Sequence, residues 1–299
     1  MILEKIIEEK KCLIEKQKKE GIDKRYKNIL QHRNLENSDD TKGCPLTFIL
    51  SPEGRGIGRG ERGFRGLYPL NILRKTLSLR ENLNKGFGII AEIKRASPSA
   101  GIIKKDLDVR EIAHIYESCG VAGISVLTCE PFFKGDIEDI KRVREVVESP
   151  VLMKDFIIDE YQIYLGRIYG ADAFLLILRI LSDEEFLKLL DAGEDLGMET
   201  LIEVHTEDEL ERALHLVKDW ENKILGINNR DLDTLKTDIS VTLNLIKLVP
   251  EDKIVVISES GIRSRKDVER LKEAGVNGVL IGESLLKSEN LKKKLQEFL

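Results

Sequence analysis

The chain has 299 residues, a hydrophobic fraction of 41% and a formal net charge of −5. That is enough apolar material for a sizeable core, and the acidic balance excludes a general attraction to nucleic acid or to anionic membrane surfaces. No apolar run approaches the roughly 20 residues of a membrane span, and Cys12, Cys44, Cys119 and Cys129 fit no metal-ligand spacing, which reads as free thiols in a reducing cytoplasm.

The opening MILEKIIEEKK has acidic residues and no cleavage-site pattern, so no signal peptide is expected there. Residues 1–20 read as an amphipathic helix, with Ile2, Leu3, Ile6, Ile7, Leu13 and Ile14 on one side. Residues 26–66 are polar, turn-rich and then Gly/Arg-rich, in SPEGRGIGRGERGFRG. Such a segment buries too little apolar surface to order itself and reads as an insert. A second helix is predicted at about 69–84, so that 1–87 forms a helical extension.

From residue 88 to 299 short apolar runs alternate with helical patterns. The runs are GIIAEIK (88–94), GISVLT (123–128), VLMKDF (151–156), AFLLILRIL (173–181), TLIEV (200–204), ILGINN (224–229), IVVISES (254–260) and GVLIGES (278–284). Near-continuous apolar strands separated by amphipathic helices indicate a parallel sheet covered on both faces. GVAG (120–123), GADA (170–173) and GVNG (275–278) each place Gly where a helix must stop before the next strand. Eight such units predict an α/β fold of the closed (β/α)8 type. An open doubly wound sheet is the alternative, but its glycine-rich dinucleotide fingerprint is absent.

In such a barrel the active site lies at the C-terminal strand ends. Lys94 ends the first strand, Lys154 the third and Glu203 the fifth. Asn228 and Arg230 close the sixth, Glu259 and Ser260 the seventh, and Glu92 lies one inward step below Lys94. A single charged pair at a strand end reads equally well as structural. Polar groups at the same end of five strands converge on one pocket, and lysines facing carboxylates are acid/base equipment. SGI (260–262) and GES (282–284) follow the seventh and eighth strands, where backbone N–H groups often hold phosphate. Gly261 and Gly282 would let the backbone approach an anion, or only make tight turns. His205 points away from the pocket by parity, Asp155 faces the helix layer, and His32, His114 and His215 have no partners at ligand spacing. GRGIGRG (54–60) lacks the Gly-Lys-Ser/Thr ending of a phosphate loop.

Together AEIKRASPSAG (91–101), LMKDF (152–156), LIEVH (201–205), GINNRDL (226–232), SESGI (258–262) and LIGESL (280–285) resemble the indole-3-glycerol phosphate synthase family of tryptophan biosynthesis. The likeness covers the N-terminal helix and residues from about 67 onward. It implies a carboxy-lyase on a TIM barrel, with no cofactor or metal, acting on a phosphorylated small molecule in the cytoplasm. The reaction closes 1-(o-carboxyphenylamino)-1-deoxyribulose 5-phosphate into indole-3-glycerol phosphate, with loss of carbon dioxide and water. Residue by residue, the resemblance makes Lys154 the general acid at the substrate ketone, Glu203 the general base, and Lys94 a contact to substrate charge that assists dehydration. Glu92, Asn228 and Glu259 orient these groups. Arg230 and Ser97 lie near the substrate carboxylate and the pocket rim. Ser260, Gly261, Gly282 and Glu283 form the phosphate site, and Phe133 and Phe156 the apolar wall. The insert at 26–66 departs from the family, whose connection there is much shorter.

Two rival readings remain. Phosphoribosylanthranilate isomerase, another phosphate-binding barrel, would be expected to use a Cys and an Asp where Lys94 and Glu203 stand. Nucleic-acid binding through Arg55, Arg59, Arg62 and Arg65 is opposed by Glu53, Glu61 and the acidic balance. The expectation is therefore no nucleic-acid partner, no membrane, and a monomer or weak oligomer.

Overall fold

The computed structural model describes residues 2–19, 74–250 and 254–299. Eight parallel strands close into a barrel: β1 Gly88–Ile93, β2 Gly123–Leu127, β3 Val151–Lys154, β4 Ala173–Ile177, β5 Glu199–Val204, β6 Lys223–Asn228, β7 Val255–Glu259 and β8 Gly278–Ile281. Each strand pairs with its sequence neighbours, and β1 pairs with β8 to complete the ring. The open-sheet alternative is thereby excluded. Most of the strands are shorter than the apolar runs. The run at 173–181 ends as strand at Ile177 and turns into a short 3-10 helix, Leu178–Ile180. Arg212 draws the chain aside there by donating to the carbonyls of Leu178 (2.9 Å) and Leu181 (2.7 Å).

The two-residue period divides the core. Ile90, Leu152, Leu201, Ile224, Ile257 and Leu280 project inward as one apolar cluster, while Ile89, Ile124, Phe174, Ile202 and Val279 belong to the cluster shared with the surrounding helices. Those helices start where capping residues stand. Asp159, Ser182 and Ser264 form capping boxes with Gln162, Glu185 and Asp267. Gly120, Gly170 and Gly275 follow their helices with left-handed backbones, as the repeated Gly before the strands implies.

Two helices precede the barrel among the described residues. The N-terminal helix α1, Ile2–Lys19, buries Ile6, Lys10 and Ile14. The helix α2 spans only Leu79–Asn84, so the expected helix at 69–84 is corrected at its start, and residues 69–73 lie outside the described residues. Residues 74–78 are pulled out of helix by the barrel floor. Leu77 N donates to Asp172 Oδ1 at 2.8 Å, Arg74 pairs with Asp172, and Thr76 Oγ1 donates to the Gly197 carbonyl at 2.7 Å. Ser78 then caps the helix. Leu79 and Leu83 plug the barrel's N-terminal end, and the strand-leading glycines make room for them: a Cβ on Gly123 would lie 2.4 Å from Leu79 Cδ1. The insert expected at 26–66, with Cys44 and the Gly/Arg stretch, lies outside the described residues.

Candidate active site

Along four strands, the step that follows an inward apolar residue brings a charged one to the barrel mouth. Glu92 stands above Ile90, Lys154 above Leu152, Glu203 above Leu201 and Glu259 above Ile257. Lys154 Nζ donates to Glu203 Oε2 at 3.0 Å and to Glu259 Oε2 at 2.7 Å. Burial opposes the charge on Lys154, but Glu203, Glu259 and Glu92 outweigh it, and its pKa lies above the ordinary lysine value. Burial pushes the Glu259 carboxyl the other way, up to about 7, helped by Glu203 and resisted by Lys154. Asn228 Nδ2 donates to Glu203 Oε1 at 2.9 Å and fixes its second oxygen. Lys94 pairs with Glu92 beside this cluster. The mouth thus holds two ammonium groups, each against carboxylate.

One side of the mouth is apolar. The Phe133 and Phe156 rings lie 5.9 Å apart, tilted at 44°, and Ile2, Leu3 and Ile6 of α1 line the same cavity. The opposite side is made of backbone. Ser260 and Gly261 both have left-handed conformations, φ 66° and 76°. A serine there is strained, and a buried network braces it: Asn229 Nδ2 donates to the Ser260 carbonyl at 3.0 Å and to Ser258 Oγ at 2.9 Å, while Thr242 Oγ1 donates to Asn229 Oδ1 at 2.8 Å. Ser284 Oγ donates to the Ile262 carbonyl at 3.0 Å and joins the ends of β7 and β8. Arg230 spans the rim, donating to Ser99 Oγ at 3.0 Å and the Leu235 carbonyl at 2.9 Å, with Glu283 at 3.9 Å. Burial resists the charge on Glu283, but Lys287, Lys94 and Arg230 outweigh it and hold its carboxyl below the usual range.

The family description of indole-3-glycerol phosphate synthase matches residues 68–298. A protein of that name from Carboxydothermus hydrogenoformans is 47% identical over 227 residues, covering 76% of this chain and 84% of its own. Another from Caldanaerobacter subterraneus is 52% identical over 221 residues, covering 73% and 83%. The chain belongs to the indole-3-glycerol phosphate synthase family. Solved structures share its fold at far lower identity. The 3-hexulose-6-phosphate synthase of Salmonella typhimurium superposes with a TM-score of 0.56 at 16% identity, covering 71% of this chain and 96% of that one.

Every residue singled out in the sequence for this family's site lines one cavity of about 370 Å³: the charged strand ends, Ser97 and Arg230 at the rim, Phe133 and Phe156, and Ser260, Gly261, Gly282 and Glu283. His205 stays outside it, its Nδ1 2.6 Å from the Asn228 carbonyl, and leads into the helix Glu207–Leu216. Gly282 has a tighter constraint than approach to an anion, because a Cβ there would lie 2.4 Å from Glu92 Oε1. Asp155, expected to face the helix layer, instead meets α1 through Lys10 and lines the same cavity. Sequence reasoning missed Gly226, where a Cβ would lie 2.2 Å from Glu259 Oε1. It also missed Asn229, Thr242, Ser284 and the contribution of α1 to the pocket wall. The apolar stripe of α1 and the places of Asn229 and Ser284 in the strand-end runs ILGINN and GES were the available signals among these.

Proposed function

We propose that this protein converts 1-(o-carboxyphenylamino)-1-deoxyribulose 5-phosphate into indole-3-glycerol phosphate in tryptophan biosynthesis, with Lys154 as the acid of the ring-closing step. The observation that carries the role of Lys154 is its buried ammonium, held between Glu203 and Glu259 with a raised pKa. The proton is therefore present at neutral pH and aimed into the cavity. The aromatic carbon bearing the carboxylate attacks the ketone carbon, and the ketone oxygen takes the proton from Lys154 to become a hydroxyl. The bond to the carboxylate then breaks, its electron pair returns to the ring, and carbon dioxide leaves. In the second stage the hydroxyl departs as water with a proton from Lys94, and Glu203 takes the proton lost from the new five-membered ring.

A raised pKa keeps the proton on Lys154 but also makes it harder to give up. Glu259, with its pKa of about 7, resolves this. When it is protonated one of the two anions holding Lys154 is gone, and the ammonium is a stronger acid. Glu92 and Asn228 orient the groups around it. Phe133 and Phe156 hold the aromatic ring, Arg230 and Ser97 lie near the substrate carboxylate, and backbone N–H groups at Ser260, Gly261, Gly282 and Glu283 take the phosphate. This reading places the enzyme in the cytoplasm. The test is the fluorescence of indole product when the full chain meets the carboxyphenylamino-deoxyribulose phosphate. A folded chain that forms no product would exclude the reading.

A further inference from the structure

The helix α1 carries a charge where its pattern calls for an apolar residue. Lys10 stands one turn after Ile6 and one turn before Ile14, and all three are buried. Its Nζ lies 2.7 Å from Asp155 Oδ2, with the two side chains only 6% and 7% exposed. Burying a charge is costly even when it is paired, and an apolar pair of similar volume often holds two elements together as well or better. What an ion pair adds is uniqueness. A slip of α1 by one turn, about 5.4 Å, would still leave apolar residues against the barrel but would strand both charges.

The acceptor cannot follow such a slip. Asp155 Oδ2 also accepts from Thr128 Oγ1 at 2.7 Å, and Oδ1 accepts from Phe156 N at 2.8 Å. One carboxylate therefore ties α1 to the end of β2 and to the segment that carries Lys154 before it and Phe156 after it. On the helix side, Ile6 shares an apolar cluster with Phe156, and Leu3 and Phe133 pack against that cluster. Lys18 and Asp159, 2.6 Å apart and about one-third exposed, make a second but weaker anchor.

We propose that Lys10 is a positioning residue: its pair with Asp155 fixes the register of α1 over the pocket and thereby shapes the apolar wall that meets the aromatic end of the substrate. The inference rests on the proposed assignment of the pocket. It predicts a selective defect, because the phosphate end is built from the ends of β7 and β8 and not from α1.

The test uses the full chain, Lys10→Met, and the double variant Lys10→Met/Asp155→Asn. Three things are measured: the thermal transition, the kcat and KM of product formation, and competitive inhibition by anthranilate and by inorganic phosphate. These probe the aromatic and anion ends separately. Lys10→Met should weaken anthranilate inhibition roughly tenfold and raise KM more than it lowers kcat, with phosphate inhibition changed less than about twofold. The double variant no longer buries an unpaired carboxylate. Its thermal transition should recover toward the parent while anthranilate inhibition stays weak, and it carries the test if the single variant does not fold. The proposal falls if anthranilate inhibition is unchanged in the variants, if both inhibitors weaken alike, or if the double variant regains stability and anthranilate binding together. A parent inhibited by neither probe would overturn the pocket assignment and this inference with it. A parent inhibited by both, with indifferent variants, overturns this inference alone.

Discussion

Replacing Lys154 by methionine removes the proposed acid while keeping most of the side chain's bulk, and the surrounding charges set the consequences. The ammonium pairs with Glu203 and Glu259 in a largely buried mouth. Breaking a buried pair costs about 3–5 kcal/mol when the remaining charge is left uncompensated. At about 2–4 °C per kcal/mol for a domain of this order of size, the thermal transition should fall by roughly 10 °C at alkaline pH. At lower pH the loss should shrink, because Glu259 already titrates near 7 in the parent. The sign comes from linkage. An acid whose folded pKa exceeds its unfolded value favours the folded state when protonated, so its contribution is lost as pH rises between the two values. In the parent that window closes near 7. Without Lys154 the Glu259 pKa rises further and the window extends upward, each further unit adding about 1.4 kcal/mol to the deficit at high pH.

The activity loss is separate from this. With the variant kept well below its transition, kcat should fall roughly 10²–10⁴-fold, the usual worth of a positioned acid, with a smaller change in KM. The assay is indole-product fluorescence under saturating substrate, paired with thermal melts at pH 5.5 and 8.5. A kcat within a few-fold of the parent would move the acid role to Lys94. A stability deficit equal at the two pH values would show that Lys154 is not what holds the Glu259 carboxylate charged.

Lys94→Met removes the partner of Glu92 and should raise KM as well as lower kcat, each by roughly tenfold; a change confined to kcat would argue against its contact with substrate charge. Gly226→Ala puts a Cβ 2.2 Å from Glu259 Oε1; it should cost about 1–3 kcal/mol of stability and lower kcat by turning that carboxylate off Lys154, which steady-state kinetics and a melt will report. Gly261→Ala forces a side chain onto a φ of 76°, at about 1–2 kcal/mol, and should weaken competitive inhibition by inorganic phosphate. Gly282→Ala meets Glu92 at 2.4 Å and should depress kcat as well as raise KM.

The barrel was legible in the sequence because a fully covered parallel sheet needs apolar strands and the capped helices between them, and both recur along 88–299. Its charged mouth was legible for a related reason. Lys154, Glu203 and Glu259 end runs that are otherwise apolar, where a charge is costly and calls for a partner. What escaped the sequence depends on contacts made across the fold. Residues 74–78 look helical until Asp172 takes the Leu77 N–H. Gly226 looks like an ordinary strand residue until the Glu259 carboxylate from the next strand occupies the space of its Cβ. Lys10 was lost among the charged residues of α1, because nothing local marks it as the one whose partner lies 145 positions away.

A cavity meant for a substrate with both a carboxylate and a phosphate would be expected to be strongly cationic, and this one is not. Lys94, Lys154, Arg230, Arg263 and Lys287 share it with Glu92, Asp155, Glu203, Glu259 and Glu283. The carboxylates are better understood as acting on the lysines than on the substrate. Two of them hold Lys154 protonated and aimed, a third pairs with Lys94, and Glu283 is paired with Lys287 on its own helical turn. On the proposed assignment the phosphate is then left to neutral donors, the backbone around the left-handed Ser260 and Gly261. The proposed assignment accounts for the buried Asn–Ser–Thr network that braces the strain at Ser260, because a backbone anion site works only if its N–H groups stay where they are.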